Sequence, residues 1–200
     1  MKLLFKVIFI FFIFVSSAKS SEVTNWLKDE IDTILRAYQN SSITNPEKFN
    51  LIEKTINNNF AGAGIAKFVA GKSWSKASKE TKKEYITLFK RHLALSIATM
   101  MQGYSNQKYS LTNSNYDQKN KVSLVDMEIT SNTGKLLVTW RVKESKGRFY
   151  VIDLLVADIS LVVTKRSEFN SMLKKVNYEL EELNKVLNTQ NNSSYSKLIN

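Results

Sequence analysis

No cysteine occurs anywhere in the chain. That excludes disulfides, thiol catalysis, thiolate metal sites and a cysteine-borne lipid anchor behind the N-terminal apolar stretch. With 200 residues the chain is long enough for its core alone to hold it together. Histidine occurs once, as His92, which rules out a multi-histidine metal site. No G-x-S-x-G elbow supplies a serine for it to activate, so we read it as a helix-borne side chain of no special role. The unbroken apolar run Val7 to Val15 falls far short of the ~20 residues that cross a bilayer. No segment repeats. No metal or cofactor is expected.

What the N-terminus does contain is the pattern of an export signal. Lys2 and Lys6 precede the apolar run, and Ser16, Ser17, Ala18 and Ser20 supply small residues for a cut after Ala18 or Ser20. Residues 1–20 are therefore expected to be removed; the competing reading is an uncleaved anchor. Lys2, Lys6 and Lys19 leave with the signal, which takes the formal charge from +11 to +8. A basic surface suits anionic partners, or simply reflects a chain rich in lysine and asparagine. Nucleic acid fits neither export nor the absence of an aromatic-interleaved basic motif.

Behind the signal, helical spacing dominates. Val23, Trp26, Leu27, Ile31, Ile34, Leu35 and Tyr38 recur every three or four residues. Asn45-Pro46 reads as the cap and first turn of a second helix carrying Phe49, Ile52 and Ile56, which Asn57 to Asn59 should break. Phe60 to Ala70 reads as a short buried helix stopped at Gly71. Ser78 caps a long helix bearing a broad apolar stripe from Tyr85 to Tyr104. The period then switches to strands at Tyr109–Leu111, Lys121–Thr130, Leu136–Val142 and Phe149–Val156, joined by short turns that imply antiparallel pairing. Phe169, Met172, Leu173 and Val176 return to helix, Asn177 breaks it, and Leu180 to Leu187 continue. Residues 189–200 read as a polar, disordered tail, leaving 21–188 as one domain.

Motifs that usually carry chemistry are imperfect here. Gly62-Ala63-Gly64-Ile65-Ala66-Lys67 lacks the third glycine of a dinucleotide fingerprint, and Ala66 to Ser73 resembles a P-loop but starts with alanine. Both motifs must follow a strand, whereas helical sequence precedes them, so close packing through small residues is the better account. Asp153 sits in an otherwise apolar strand and needs a partner. Arg166 is the natural candidate for a structural ion pair, with backbone amides near Ser160 as the alternative.

From Val151 the chain reads Val-Ile-Asp-Leu-Leu-Val-Ala-Asp-Ile-Ser-Leu-Val, followed by Arg166-Ser167-Glu168-Phe169. This resembles the V-x-D-V-x-V-x-G-V-S-L and R-S-x-F signature of the MlaC family, also called the toluene-tolerance or ABC-transporter auxiliary component. Phe60, Ala66, Gly71 and Trp74 match that family in spacing, and further on Trp140-Arg141-Val142, Gly147 and Phe149 follow its strand pair, with phenylalanine where the family usually has tryptophan. Ala61, Gly62, Ala70, Asp158 and Asn177 depart from it, the last two where glycine is usual.

The resemblance implies an α+β fold, an antiparallel sheet of about four strands wrapped by N- and C-terminal helices around a hydrophobic cavity. It also implies a periplasmic phospholipid shuttle that exchanges lipid with an outer-membrane lipoprotein complex and an inner-membrane ABC transporter carrying an MCE-domain ring. Such a role maintains outer-membrane lipid asymmetry and involves no catalysis. Candidate cavity residues are Tyr85, Phe89, Leu93, Ile97, Met100, Met101, Tyr104, Val138, Trp140, Val142, Leu154, Val156 and Phe169. The other readings are a small-ligand enzyme of cone-shaped α+β fold, for which Asp153 with His92 is the one pairing to nominate, and a ligand-free envelope scaffold.

Overall fold

The structure is a computed structural model and describes residues 2–104, 107–132 and 134–200, with side chains described from Ser20 onward. Helix α1 (Lys2–Gln39) carries the first apolar stripe, and its Val23, Leu27 and Ile31 are buried. Apart from backbone, the export signal expected at residues 1–20 lies outside the described residues. Among those residues no helix is long and apolar enough to cross a membrane.

Helix α2 (Asn45–Asn59) starts one residue earlier than its proline signalled, because the cap is Thr44. The Thr44 hydroxyl accepts from the Glu47 amide while the Glu47 carboxylate accepts from the Thr44 amide, a reciprocal capping box. The asparagine run closes α2 without interrupting it. Phe60 then turns extended and bridges to Val151, where the Ala61 amide donates to the Val151 carbonyl at 2.9 Å.

Helix α3 (Gly62–Ala70) ends at Gly71, whose φ of +55° suits glycine. Gly62 lies so close to α5 that an added Cβ would meet Lys90 Cε at 2.8 Å. Gly62, Ala66 and Ala70 are buried against neighbouring elements, whereas Ala63 and Gly64 are exposed and a Cβ on Gly64 would meet nothing within 4 Å, so only part of this small-residue segment serves packing. After α4 (Lys72–Lys76) comes α5 (Lys79–Met101), capped by the Ser78 hydroxyl, which accepts from the Thr81 amide.

Five strands follow as an antiparallel meander: β1 (Lys108–Asp117), β2 (Val122–Ser131), β3 (Gly134–Ser145), β4 (Arg148–Val156) and the short β5 (Ile159–Ser160). The strand expected at Tyr109–Leu111 is longer than predicted, and β5 adds a pairing that no two-residue segment could announce. Three cross-strand rows run over the sheet: Tyr109–Ile129–Leu136, Met127–Val138–Val156 and Val125–Trp140–Leu154. The β3–β4 turn has positive φ at Lys146 and Gly147, and the β4–β5 turn at Ala157 and Asp158. Aspartate tolerates the left-handed conformation at the position where glycine is usual in the resembled family.

Helix α6 (Leu161–Lys175) and helix α7 (Leu180–Ile199) are separated by Asn177 and Tyr178, both left-handed. The tail expected to be disordered from residue 189 is instead the second half of α7. Asn191 and Leu198 are buried, the Asn191 amide donates to the Leu88 carbonyl at 2.9 Å, and the Tyr195 ring packs against Phe49. Spacings of four, four and three from Leu187 through Asn191 and Tyr195 to Leu198 place one stripe on a helix despite the polar composition.

Candidate functional site

Between the sheet and helices α1, α2 and α5 the structure encloses a cavity of about 520 Å³. A second cavity of about 300 Å³ lies between α3, α5, β4 and the start of α6. The two share Phe60, Ile97, Met100, Leu154 and Leu161 as walls. Each is of the size that ordinarily holds a small molecule.

The predicted stripe on α5 divides along its length. Ile97, Met100, Met101 and Tyr104 line the larger cavity with Val138, Trp140, Leu154 and Val156 from the sheet. Phe89 and Leu93, one to two turns earlier, line the smaller one. Tyr85, Val142 and Phe169 line neither cavity and are at most 1% exposed. They belong to packed core: Tyr85 and Phe169 stack with Phe89 in an aromatic cluster, and Val142 lies between Ser123 and Val151 of the flanking strands.

A large part of the larger cavity comes from apolar residues that the sequence reading did not nominate for it. Trp26, Ile31, Ile34 and Leu35 of α1, Ile52 and Ile56 of α2, and Met127 and Ile129 of β2 all line it. Their apolar periodicity was visible; what it faced was not. One end of the cavity is marked by Trp26, packed against Phe149 at 5.6 Å between ring centroids. The other end is marked by Tyr104, whose hydroxyl accepts from Gln39 at 3.1 Å. At that end Met100 is 62% and Leu136 42% exposed, so the apolar lining continues to the surface.

Glu30 is the one charged side chain among the described residues that line the larger cavity. Burial pushes its carboxyl above the usual carboxylate range, the Asn59 side chain partly offsets this through a hydrogen bond, and neighbouring Asp29 adds to the rise.

Asp153, on the wall of the smaller cavity, is fully engaged. Its Oδ1 accepts from the Leu154 amide at 2.8 Å and the Val162 amide at 3.1 Å. Its Oδ2 accepts from Ser160 Oγ at 2.7 Å and Arg141 Nη1 at 3.4 Å. The expected pairing with Arg166 is corrected. Arg141 is the cross-strand neighbour of Asp153, whereas Arg166 lies on α6 with its guanidinium 4.4 Å over the Phe68 ring. The amides near Ser160, the alternative partner, are present. Asp153 thus ties the end of β4 to the N-terminus of α6, where the helix dipole favours an anion.

His92 stands apart from that cluster, edge-on to Phe169 with 5.4 Å between ring centroids. Burial holds its pKa below the ordinary 6.5, with Lys165 lowering it further and Asn191 and Glu168 opposing. The geometry is that of a fixed apolar container with one carboxylate in its larger wall.

A family model described as MlaC protein matches residues 27–189. No curated protein matches the chain. Among solved structures, the fold is similar to that of a phospholipid-binding protein from Ralstonia solanacearum in complex with a phospholipid. The TM-score is 0.72 at 18% sequence identity, covering 88% of this chain and 98% of that one.

Proposed function

The chain belongs to the MlaC family, and on that footing we propose that it binds a phospholipid by its tails and carries it across the periplasm. The observation that carries this reading is the apolar cavity of about 520 Å³, which shares wall residues with a second of about 300 Å³. Two acyl chains hold roughly 30 methylenes, and their exposure to water costs on the order of 24 kcal/mol at about 0.8 kcal/mol each. A carrier therefore has to enclose them. The similar Ralstonia solanacearum structure, which holds a phospholipid, supports the same use of the fold.

In this reading residues 1–20 are an export signal and residues 21 onward form one lipid-binding domain. The same solvation cost dictates how transfer proceeds. Escape of the bare lipid into water is prohibitively slow, so loading and unloading occur while the protein is docked. The docking partners we assign are an inner-membrane ABC transporter with an MCE-domain ring and an outer-membrane lipoprotein complex, and the outcome is maintenance of outer-membrane lipid asymmetry. No bond is made or broken: Asp153 is occupied by structural partners and His92 by Phe169 and Asn191. Native mass spectrometry of protein taken from the periplasm tests the proposal. A bound mass matching a diacyl phospholipid is expected, and protein that emerges without any lipid mass refutes it.

A further inference from the structure

The larger cavity is lined mostly by apolar side chains, and its polar positions include a group where the end of α2 meets α1. Glu30, Thr55 and Asn59 meet there, and Glu30 is the one charge among the described lining residues. A carboxylate set into an apolar wall is costly unless a cation or hydrogen-bond donors compensate it. Asn59 supplies one hydrogen bond, but none of the ion pairs among the described residues includes Glu30. Its closest charged influence is Asp29, of the same sign.

We propose that this end receives the lipid head group and that Glu30 favours one carrying a primary ammonium over an anionic one. The inference rests on the phospholipid reading above. An ammonium beside Glu30 supplies the missing countercharge. The preference runs against the net positive charge, +11 over the full chain and +8 without residues 1–20, which attracts anionic head groups to the surface from a distance. A local preference of the opposite sign is therefore attributable to the site.

The test loads lipid-free protein from vesicles of equimolar phosphatidylethanolamine and phosphatidylglycerol with identical acyl chains, then reads bound species by native mass spectrometry. Because Glu30 is only partly buried, the expected ethanolamine excess is roughly two- to fivefold. Glu30→Gln should bring the ratio to that of the vesicles with total lipid unchanged, and Glu30→Lys should reverse it. Equal ratios in loaded wild type and both variants overturn the proposal and leave lipid carriage standing. Wild type that takes up neither lipid overturns both. Free ethanolamine bound to lipid-free protein, with no preference among loaded lipids, overturns it in favour of a soluble-amine site.

Discussion

Ile97→Trp separates a lipid container from a packed core. Ile97 is half-buried near the C-terminal end of α5 and belongs to the walls of both cavities. Tryptophan carries roughly six more heavy atoms than isoleucine, so in a lipid-filled cavity it displaces about six methylenes. At about 0.8 kcal/mol each, that is ~5 kcal/mol of lost lipid burial. Since ~1.4 kcal/mol is a factor of ten, affinity should fall more than a thousandfold. The indole itself has space to occupy, so folding stability should change by less than ~1 kcal/mol, or roughly 2–4 °C in Tm at this chain length. Co-purifying phospholipid, quantified after extraction, and a thermal melt of the same preparation read both quantities. Were the region close-packed, the larger ring would cost about 1–3 kcal/mol and leave binding untouched. Wild-type lipid content combined with a lowered Tm would therefore refute the assignment of Ile97 to a lipid-facing wall.

Asp153→Ala should destabilise by ~3 kcal/mol in urea titration, because it strands the Leu154 and Val162 amides and Ser160 Oγ. Arg141→Ala should cost much less, since Arg141 is 39% exposed and contributes a single 3.4 Å contact; equal costs would contradict this division. For His92 the folded pKa lies below the ordinary 6.5, so the unfolded state binds more protons in between. Its contribution is fully present above 6.5 and is lost as pH falls through the folded value. The fall in Tm below pH 6.5 should therefore be shallower in His92→Gln, and parallel profiles would disprove it. Removing residues 189–200 should lower Tm by several degrees, because Asn191, Tyr195 and Leu198 pack against α2 and α5; an unchanged melt would show that the end of α7 contributes nothing.

The elements were legible because their signals are local. Ser78, Gly71 and Asn177 mark boundaries through capping and left-handed backbone, and alternation in Leu136–Val142 marks a half-buried strand. The cavity was legible only in part, because periodicity identifies an apolar face without naming what it faces. On α5 one continuous stripe serves two surroundings: Tyr85 enters an aromatic cluster with Phe89 and Phe169, while Ile97 and Met101 face open space. Trp26 and Ile34 carry an equally plain stripe on α1, yet their role as cavity wall depends on how α1 crosses the sheet. The partner of Asp153 depended in the same way on register, which sets Arg141 opposite it. At the C-terminus the error lay in composition. Asparagine and serine dominate the segment, but Asn191 is buried because its amide reaches the Leu88 carbonyl.

The open meander leaves β1 as an edge strand ten residues long, a surface on which a second chain could add a strand. Three features of the strand and its surroundings oppose that. Its register slips between Leu111 and Asn113, which bends and twists the strand away from flat pairing. Lys108 and a run of exposed polar side chains leave little apolar surface on the edge. Ser20 Oγ donates to the Ser114 carbonyl at 3.1 Å and so covers one acceptor. A cut after Ala18 would keep that cover and a cut after Ser20 would remove it, so, were the N-terminus processed here, a shift of two residues in the cut would change how much of the edge is open to self-association.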